Sequence, residues 1–293
     1  MSRNDLKTDE TKLVTGEGAP EVPPRSDDWG DTVPAASQAA DDWGMPQTPL
    51  PQLSTLVIEQ HGGNFQPDIV KMLVYGESGA GKTRFASTWP GVIFADIDKG
   101  MASVTEKVMR VPIDDANGSS AWDKMKALYK YLSEEEHPYQ TVVLDTLNEM
   151  QRIAMHMTIE EFTMVRRSYG NLPSQSDYGK MLHDMVELTR DFIALPMRVL
   201  LLAQVNSRQF DTDTLMPQLV GKNTAREIAR KMDVIGYIYK SENEDGEGHK
   251  LSEMSFDAVD YVTKDRSFKL PSSLVNPTYA RVVAFWEQNE KEK

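Results

Sequence analysis

The 293-residue chain contains no cysteine, which excludes disulfides, thiolate metal centres and cysteine nucleophiles and accords with a reducing cytoplasm. It also lacks long apolar runs. The longest, Val199 to Val205, is far shorter than the roughly 20 residues that span a bilayer, and no apolar signal core opens the sequence. A cytoplasmic protein with no membrane contact is therefore expected. Histidine is scarce, with five residues and none at metal-ligand spacing, and neither an H-E-x-x-H motif nor a nucleophile elbow is present. Positive charge is short as well. The formal net charge of −13 argues against general coating of polyanions, because non-specific nucleic-acid binding is driven by phosphate neutralisation.

That charge is unevenly placed. Residues 1–50 hold ten Asp/Glu against four Lys/Arg, a net of −6, which leaves −7 for the other 243 residues and keeps a local basic strip open. This first segment is rich in Pro, Asp, Ser and Ala and poor in large aliphatics, so it buries too little apolar surface to offset chain entropy. We expect 1–50 to be a disordered acidic tail and 51–293 to form one domain. Within the tail, Asp27-Asp28-Trp29-Gly30 recurs as Asp41-Asp42-Trp43-Gly44. Either this is low-complexity linker, or the two tryptophans are anchors for a partner's pocket with acids facing its rim.

The rest of the chain, 40% hydrophobic overall, is ample for a core, and it is organised around Gly76-Glu77-Ser78-Gly79-Ala80-Gly81-Lys82-Thr83. This is the P-loop pattern G-x-x-x-x-G-K-[ST], placed after the apolar run Ile69 to Tyr75 and before the helical stretch from Arg84 to Trp89. Glycines at those positions let backbone N–H groups curl around phosphate oxygens, and the start of the following helix adds a favourable field. Lys82 is expected to reach the β- and γ-phosphates of a nucleotide, and the Thr83 hydroxyl to ligate Mg²⁺.

Ser54 to Glu59 and Pro67 to Tyr75 read as strands joined by His61-Gly62-Gly63-Asn64. Val92 to Ala95 is a buried strand running into Asp96 and Asp98, either of which could orient or deprotonate a water beside the phosphates. Ser119 to Leu132 has helical spacing. Thr141-Val142-Val143-Leu144-Asp145-Thr146 is an apolar strand closing on an acid, the position at which P-loop enzymes hold Mg²⁺ through water. Asn148 to Val165 reads as helix, followed by a polar loop from Arg166 to Asp177; Arg166, Arg167, Tyr169 and Lys180 suit phosphate contact and base stacking. An amphipathic stripe from Met181 to Ile193 is core packing. Arg198 to Val205 is a strand delivering Gln204 to its carboxyl end, and Asn206 to Asn223 forms a second polar loop with Arg208, Phe210 and Lys222. Thr224 to Lys231 is a short helix, Val234 to Tyr239 and Lys250 to Phe256 a hairpin, Val259 to Thr263 a strand leading into Lys264-Asp265-Arg266, and Tyr279 to Gln288 a final helix.

The order of these parts resembles the RecA-like recombinase ATPase core, and in the short spacing from P-loop to second strand it is most similar to the phage-encoded Sak-type annealing and recombination ATPases. The resemblance covers roughly Val70 to Pro271. It implies an α/β RecA-like core, with a mostly parallel central sheet flanked by helices and a C-terminal antiparallel meander, in a phage-infected bacterial host. It places the family's catalytic carboxylate on Asp98, where recombinases usually carry Glu, and the γ-phosphate-sensing glutamine on Gln204. The two DNA-binding loops fall on 166–177 and 206–223. Lys264 and Arg266 match a basic pair that reaches a neighbouring subunit's nucleotide. The implied protein binds ATP and Mg²⁺, assembles as a homo-oligomer, filament or ring, with nucleotide between subunits, and is a DNA-dependent ATPase on single-stranded DNA. A single-strand-binding protein is the partner expected for the tryptophan motifs.

Three other readings stay open: a P-loop motor or loader acting on a protein partner in replication or packaging, a small-molecule kinase with Arg166 and Arg167 as its acceptor clamp, and a nucleotide switch whose tail is the binding module.

Overall fold

The computed structural model describes residues 65–113, 120–163, 172–206, 215–242 and 250–288, all within the compact unit His61–Lys293. The tail, the strand expected at Ser54 to Glu59 and its turn lie outside the described residues. The elements in chain order are β1 (Lys71–Gly76), α1 (Lys82–Ser87), β2 (Val92–Asp96), β3 (Met109–Pro112), α2 (Ala121–Glu134), β4 (Thr141–Asp145), α3 (Leu147–Thr163), α4 (Gln175–Ala194), β5 (Arg198–Gln204), α5 (Lys222–Lys231), β6 (Val234–Glu242), β7 (Lys250–Ser255), β8 (Lys264–Asp265), β9 (Ser273–Val275) and α6 (Tyr279–Glu287).

The strands form one sheet in the order β3-β2-β4-β5-β1-β6-β7-β9, with β8 also on β6. Pairings from β3 through β6 are parallel, whereas β7, β8 and β9 are antiparallel additions. β2 and β4 are buried along their whole length, as expected of strands covered on both faces. Alternation splits each strand between two cores. Leu73, Leu144 and Leu201 join Trp122, Met150, Met181 and Ile228 of α2, α3, α4 and α5 on one face. Met72, Val143 and Leu200 join Phe85, Val282 and Trp286 of α1 and α6 on the other. This is the α/β architecture, helices on a mostly parallel sheet, that the sequence predicts.

The consequence for function is geometric. The parallel strands point the same way, so the P-loop after β1, Gln204 at the end of β5, Asp145 at the end of β4 and Asp96 at the end of β2 share the carboxyl edge, in that spatial order. Open α/β sheets bind ligands at this edge.

Several boundaries differ from expectation. Pro67–Ile69 forms a 3₁₀ turn with Pro67 at its start, because a fixed proline φ and missing N–H suit a first turn better than a ladder. Residues 175–177, expected in the loop, open α4. Ser174 accepts from the Asp177 N–H while the Asp177 side chain accepts from the Ser174 N–H, a capping box that starts a helix at that point. α5 likewise begins at Lys222 rather than Thr224. Val259 to Thr263 is not a strand. Val259 is 95% exposed, and the segment bends so that the Tyr261 ring stacks on Tyr237 at 4.0 Å, which leaves only Lys264–Asp265 to pair with β6. β3 and β9 are additions to the expected set of strands. β3 is a sheet edge with little buried surface, so it lacks the hydrophobic pattern that identifies a strand.

Gly76 shows how tightly the site is built. It pairs with Ile238 of β6, and a Cβ at this position would lie 2.0 Å from the Ile238 carbonyl oxygen. The first glycine of the motif is therefore demanded by the neighbouring strand. Gly76→Ala is expected to lower stability by about 3 kcal/mol or more, the range of severe overpacking against backbone. A thermal melt showing a near wild-type midpoint would refute this.

Candidate nucleotide site

The loop from β1 to α1 takes its shape from glycine. Gly79 and Gly81 have φ of 76° and 111°, a region costly for other residues. The Ala80 N–H donates to the Glu77 carbonyl at 3.2 Å, closing the turn. The N–H groups of Gly79 and Gly81 have no acceptor among the described residues, as befits a nest for phosphate oxygens. α1 is only six residues long, so its dipole adds less than the sequence suggests, and loop N–H groups and Lys82 carry the anion site.

Lys82 is buried. Its Nζ donates to the Gly76 and Glu77 carbonyls at 2.9 Å each and to Gln204 Oε1 at 3.2 Å. Burial lowers its pKa, with Asp145, Asp98 and Glu77 opposing. The ammonium thus sits among neutral oxygens that give it less than a phosphate would, the setting for exchange onto a nucleotide.

Thr83 Oγ1 donates to Asp145 Oδ2 at 2.8 Å. Asp145 is 1% exposed, and burial pushes its carboxyl up from 3.8 to about 6, with Thr83 and Lys82 opposing and Asp98 and Asp96 adding. Its Oδ1 is buried with no hydrogen-bond partner. A buried carboxylate oxygen left bare beside a threonine hydroxyl is a pair of hard oxygen donors of the kind Mg²⁺ takes, so the residues present fit that ion. No cluster of three or more His, Cys, Asp or Glu suited to a metal occurs among the described residues.

Asp96 and Asp98 divide in character. Asp96 is buried and paired with Arg110 at 2.5 Å, and its register partner across the strands is Asp145. Asp98 is exposed, and the N–H groups of Ile97 and Asp98 both donate to the Asp145 carbonyl, at 2.8 and 3.1 Å, which fixes it at the rim. Partial desolvation raises its pKa, Asp96 and Glu149 add to the rise, and the Gly100 backbone and Lys82 oppose it. An accessible carboxylate with raised basicity is the better water-activating group of the two.

Gln204 is held from three sides. Besides Lys82, its N–H donates to Asn148 Oδ1 at 2.8 Å and its carbonyl accepts from the Gln218 N–H at 2.8 Å. Sequence reasoning missed Asn148, which stands three residues after Asp145, and Arg110.

Lys264 and Arg266, the expected trans pair, are engaged within the chain. Lys264 Nζ donates to the Ala229 and Arg230 carbonyls at 3.4 and 3.1 Å, and Arg266 pairs with Asp233 at 3.0 Å and donates to the Arg230 carbonyl at 3.2 Å. They cap the C-terminus of α5, where cations satisfy the last carbonyls. Lys180 lies within α4, paired with Asp184 at 2.5 Å, and Lys222 is the first residue of α5. Arg166, Arg167, Tyr169, Arg208 and Phe210 lie outside the described residues. No described helix is long and apolar enough to cross a membrane.

Residues 69–267 match the family model described as AAA domain. Solved structures align over most of the chain at low identity. The KaiC-like protein PH0186 of Pyrococcus horikoshii OT3 is 14% identical, over 64% of this chain and 79% of its own, with a TM-score of 0.38. The flagellar accessory protein FlaH of Methanocaldococcus jannaschii is 12% identical, over 71% and 85%, with a TM-score of 0.38. No curated protein matches the chain in sequence.

Proposed function

The chain belongs to the AAA domain family and carries its P-loop on a mostly parallel α/β sheet, and from that premise we propose that it is a RecA-like ATPase that hydrolyses Mg-ATP on single-stranded DNA, in phage-type recombination or annealing, with nucleotide between the subunits of a homo-oligomer. The observation that carries this reading is the hydrogen bond from Lys82 to Gln204. It joins the phosphate-binding amine to the last residue of β5, at the head of 206–223, the second loop assigned to DNA.

Lys82 gives up the Gly76 and Glu77 carbonyls for phosphate oxygens, and in doing so releases Gln204 Oε1. The freed amide turns to the γ-phosphate and back on its loss, so that the end of β5 and the segment 216–218 bonded to it have one arrangement with triphosphate and another without. Asp98 accepts a proton from the attacking water. Thr83 and Asp145 would hold Mg²⁺, which when bound would neutralise charge on the triphosphate. For Lys264 and Arg266 to serve a neighbouring subunit, they exchange the α5 carbonyls and Asp233 for that subunit's nucleotide. The Trp29 and Trp43 motifs are proposed contacts to a single-strand-binding protein.

The test is ATP turnover with and without a single-stranded oligonucleotide, across protein concentration. Stimulation by DNA with a faster than linear rise in protein is expected, since trans basic groups contribute about 10³–10⁵ in rate where they complete a site. Turnover that ignores DNA would move the search to a protein partner such as a loader acts on.

A further inference from the structure

α3 begins directly behind Asp145, and its first turns carry two amides on one face, Asn148 and Gln151, three residues apart as a shared face requires. Asn148 is bonded at both ends. Its Oδ1 accepts from the Gln204 N–H at 2.8 Å, and its Nδ2 donates to the Gln218 carbonyl at 2.5 Å. Because the Gln218 N–H returns to the Gln204 carbonyl at 2.8 Å, Gln204, Asn148 and Gln218 close a ring of three hydrogen bonds. Gln151, buried, grips Val220 in the manner of a ladder partner, donating to its carbonyl at 3.1 Å and accepting from its N–H at 2.8 Å. The segment 218–220 so held runs straight into α5.

We propose that Asn148 and Gln151 are positioning residues that couple the nucleotide state sensed by Gln204 to segment 215–221 and α5, an inference that rests on the ATPase reading above. Lys82 binds Gln204 at one end of the chain of contacts and α5 lies at the other. A shift of Gln204 toward a γ-phosphate cannot leave Gln218 in place without breaking the ring, and every group in it is half-buried or better save Gln218. Transmission thus takes the route α3 to α5, in addition to the covalent route through 207–214. The C-terminus of α5 accepts the Lys264 and Arg266 side chains, so the same movement reaches the pair assigned to a neighbouring subunit.

Hydrogen exchange read by mass spectrometry tests this on the full chain, with Mg²⁺ and a non-hydrolysable ATP analogue. In the wild type the analogue slows exchange in 76–83 and changes it in 215–231. Asn148→Ala keeps the first response and loses the second, with kcat about tenfold lower and KM for ATP within about twofold, as loss of coupling rather than of binding requires. Asn148→Asp guards against a merely unfolded variant. It retains an acceptor for the Gln204 N–H but not the donor to Gln218, and it too is expected to lose the 215–231 response. A wild-type response at 215–231 in both variants overturns the link, as does a wild type protected at 76–83 and unchanged at 215–231. A wild type unprotected at 76–83 overturns the ATPase reading itself, and the link with it.

Discussion

Lys82→Ala is expected to lower ATP turnover by about 10²–10³-fold, the loss seen when a preorganised donor to developing transition-state charge is removed. Lys82 Nζ is the charged donor of the P-loop motif and is aimed at the loop carbonyls and Gln204. The backbone nest remains in the variant, so nucleotide affinity falls less than turnover. The direct partners left behind are carbonyl and amide oxygens, but the buried Asp145 carboxylate loses a nearby cation, so stability should fall at pH 8 as well. Lys82→Met, closer in volume, separates charge from packing. Turnover in the methionine variant within tenfold of wild type would remove Lys82 from the chemistry.

Asp145→Asn should act in opposite directions on stability and on activity. The Asp145 carboxyl is raised from 3.8 to about 6 by burial. A folded-state pKa above the unfolded value means that the contribution to stability is present below about 4 and is lost as pH rises through about 6. At pH near 8 the wild-type apo-protein therefore carries the full cost of a buried charge, which a rise of this size puts at about 3 kcal/mol as a ceiling. The neutral amide escapes that cost and can still accept from Thr83 Oγ1. The variant should melt higher than wild type at pH 8, with the difference closing toward pH 4. Its stabilisation by Mg²⁺ with an ATP analogue should disappear, and turnover should fall by about 10²-fold or more for want of the anionic ligand. In the metal-free wild type the same raised pKa means that capture of Mg²⁺ with an ATP analogue should weaken as pH falls through about 6. An Asp145→Asn protein that is less stable than wild type at pH 8, or that retains the Mg²⁺ response, would contradict this account of the site.

Much of the site is legible in the chain because it sits where buried parallel strands end. Runs such as Thr141 to Leu144 and Val199 to Ala203 are apolar along almost their whole length, and the first polar residue after each, Asp145 or Gln204, has to surface at the carboxyl edge. The P-loop adds its own spacing. What stays hidden depends on long-range pairing. β3 reads as a polar segment because as an edge strand it has one neighbour and little to bury. A family pattern assigns Lys264 and Arg266 by their place in the order of parts, whereas the end of α5, more than thirty residues earlier in the chain, supplies the carbonyls they bind. Asn148 and Gln151 look like ordinary polar positions of a helix, and only the fold reveals that Gln204, Gln218 and Val220 pass in front of them. Residue type and spacing leave Asp96 and Asp98 equal, with only the resemblance favouring Asp98, and the physical difference comes from the burial of Asp96 and its pairing with Arg110 on the neighbouring strand.

Whether the P-loop of this chain hydrolyses ATP is decided by turnover of the wild-type chain beside Lys82→Ala, measured at pH 8 in Mg²⁺ and again in excess chelator. Turnover that saturates with Mg²⁺ is expected in the wild type, with none above background in chelator and a rate about 10²–10³-fold lower in the variant. Equal rates for the two proteins, or a wild-type rate indifferent to chelator, would contradict this expectation.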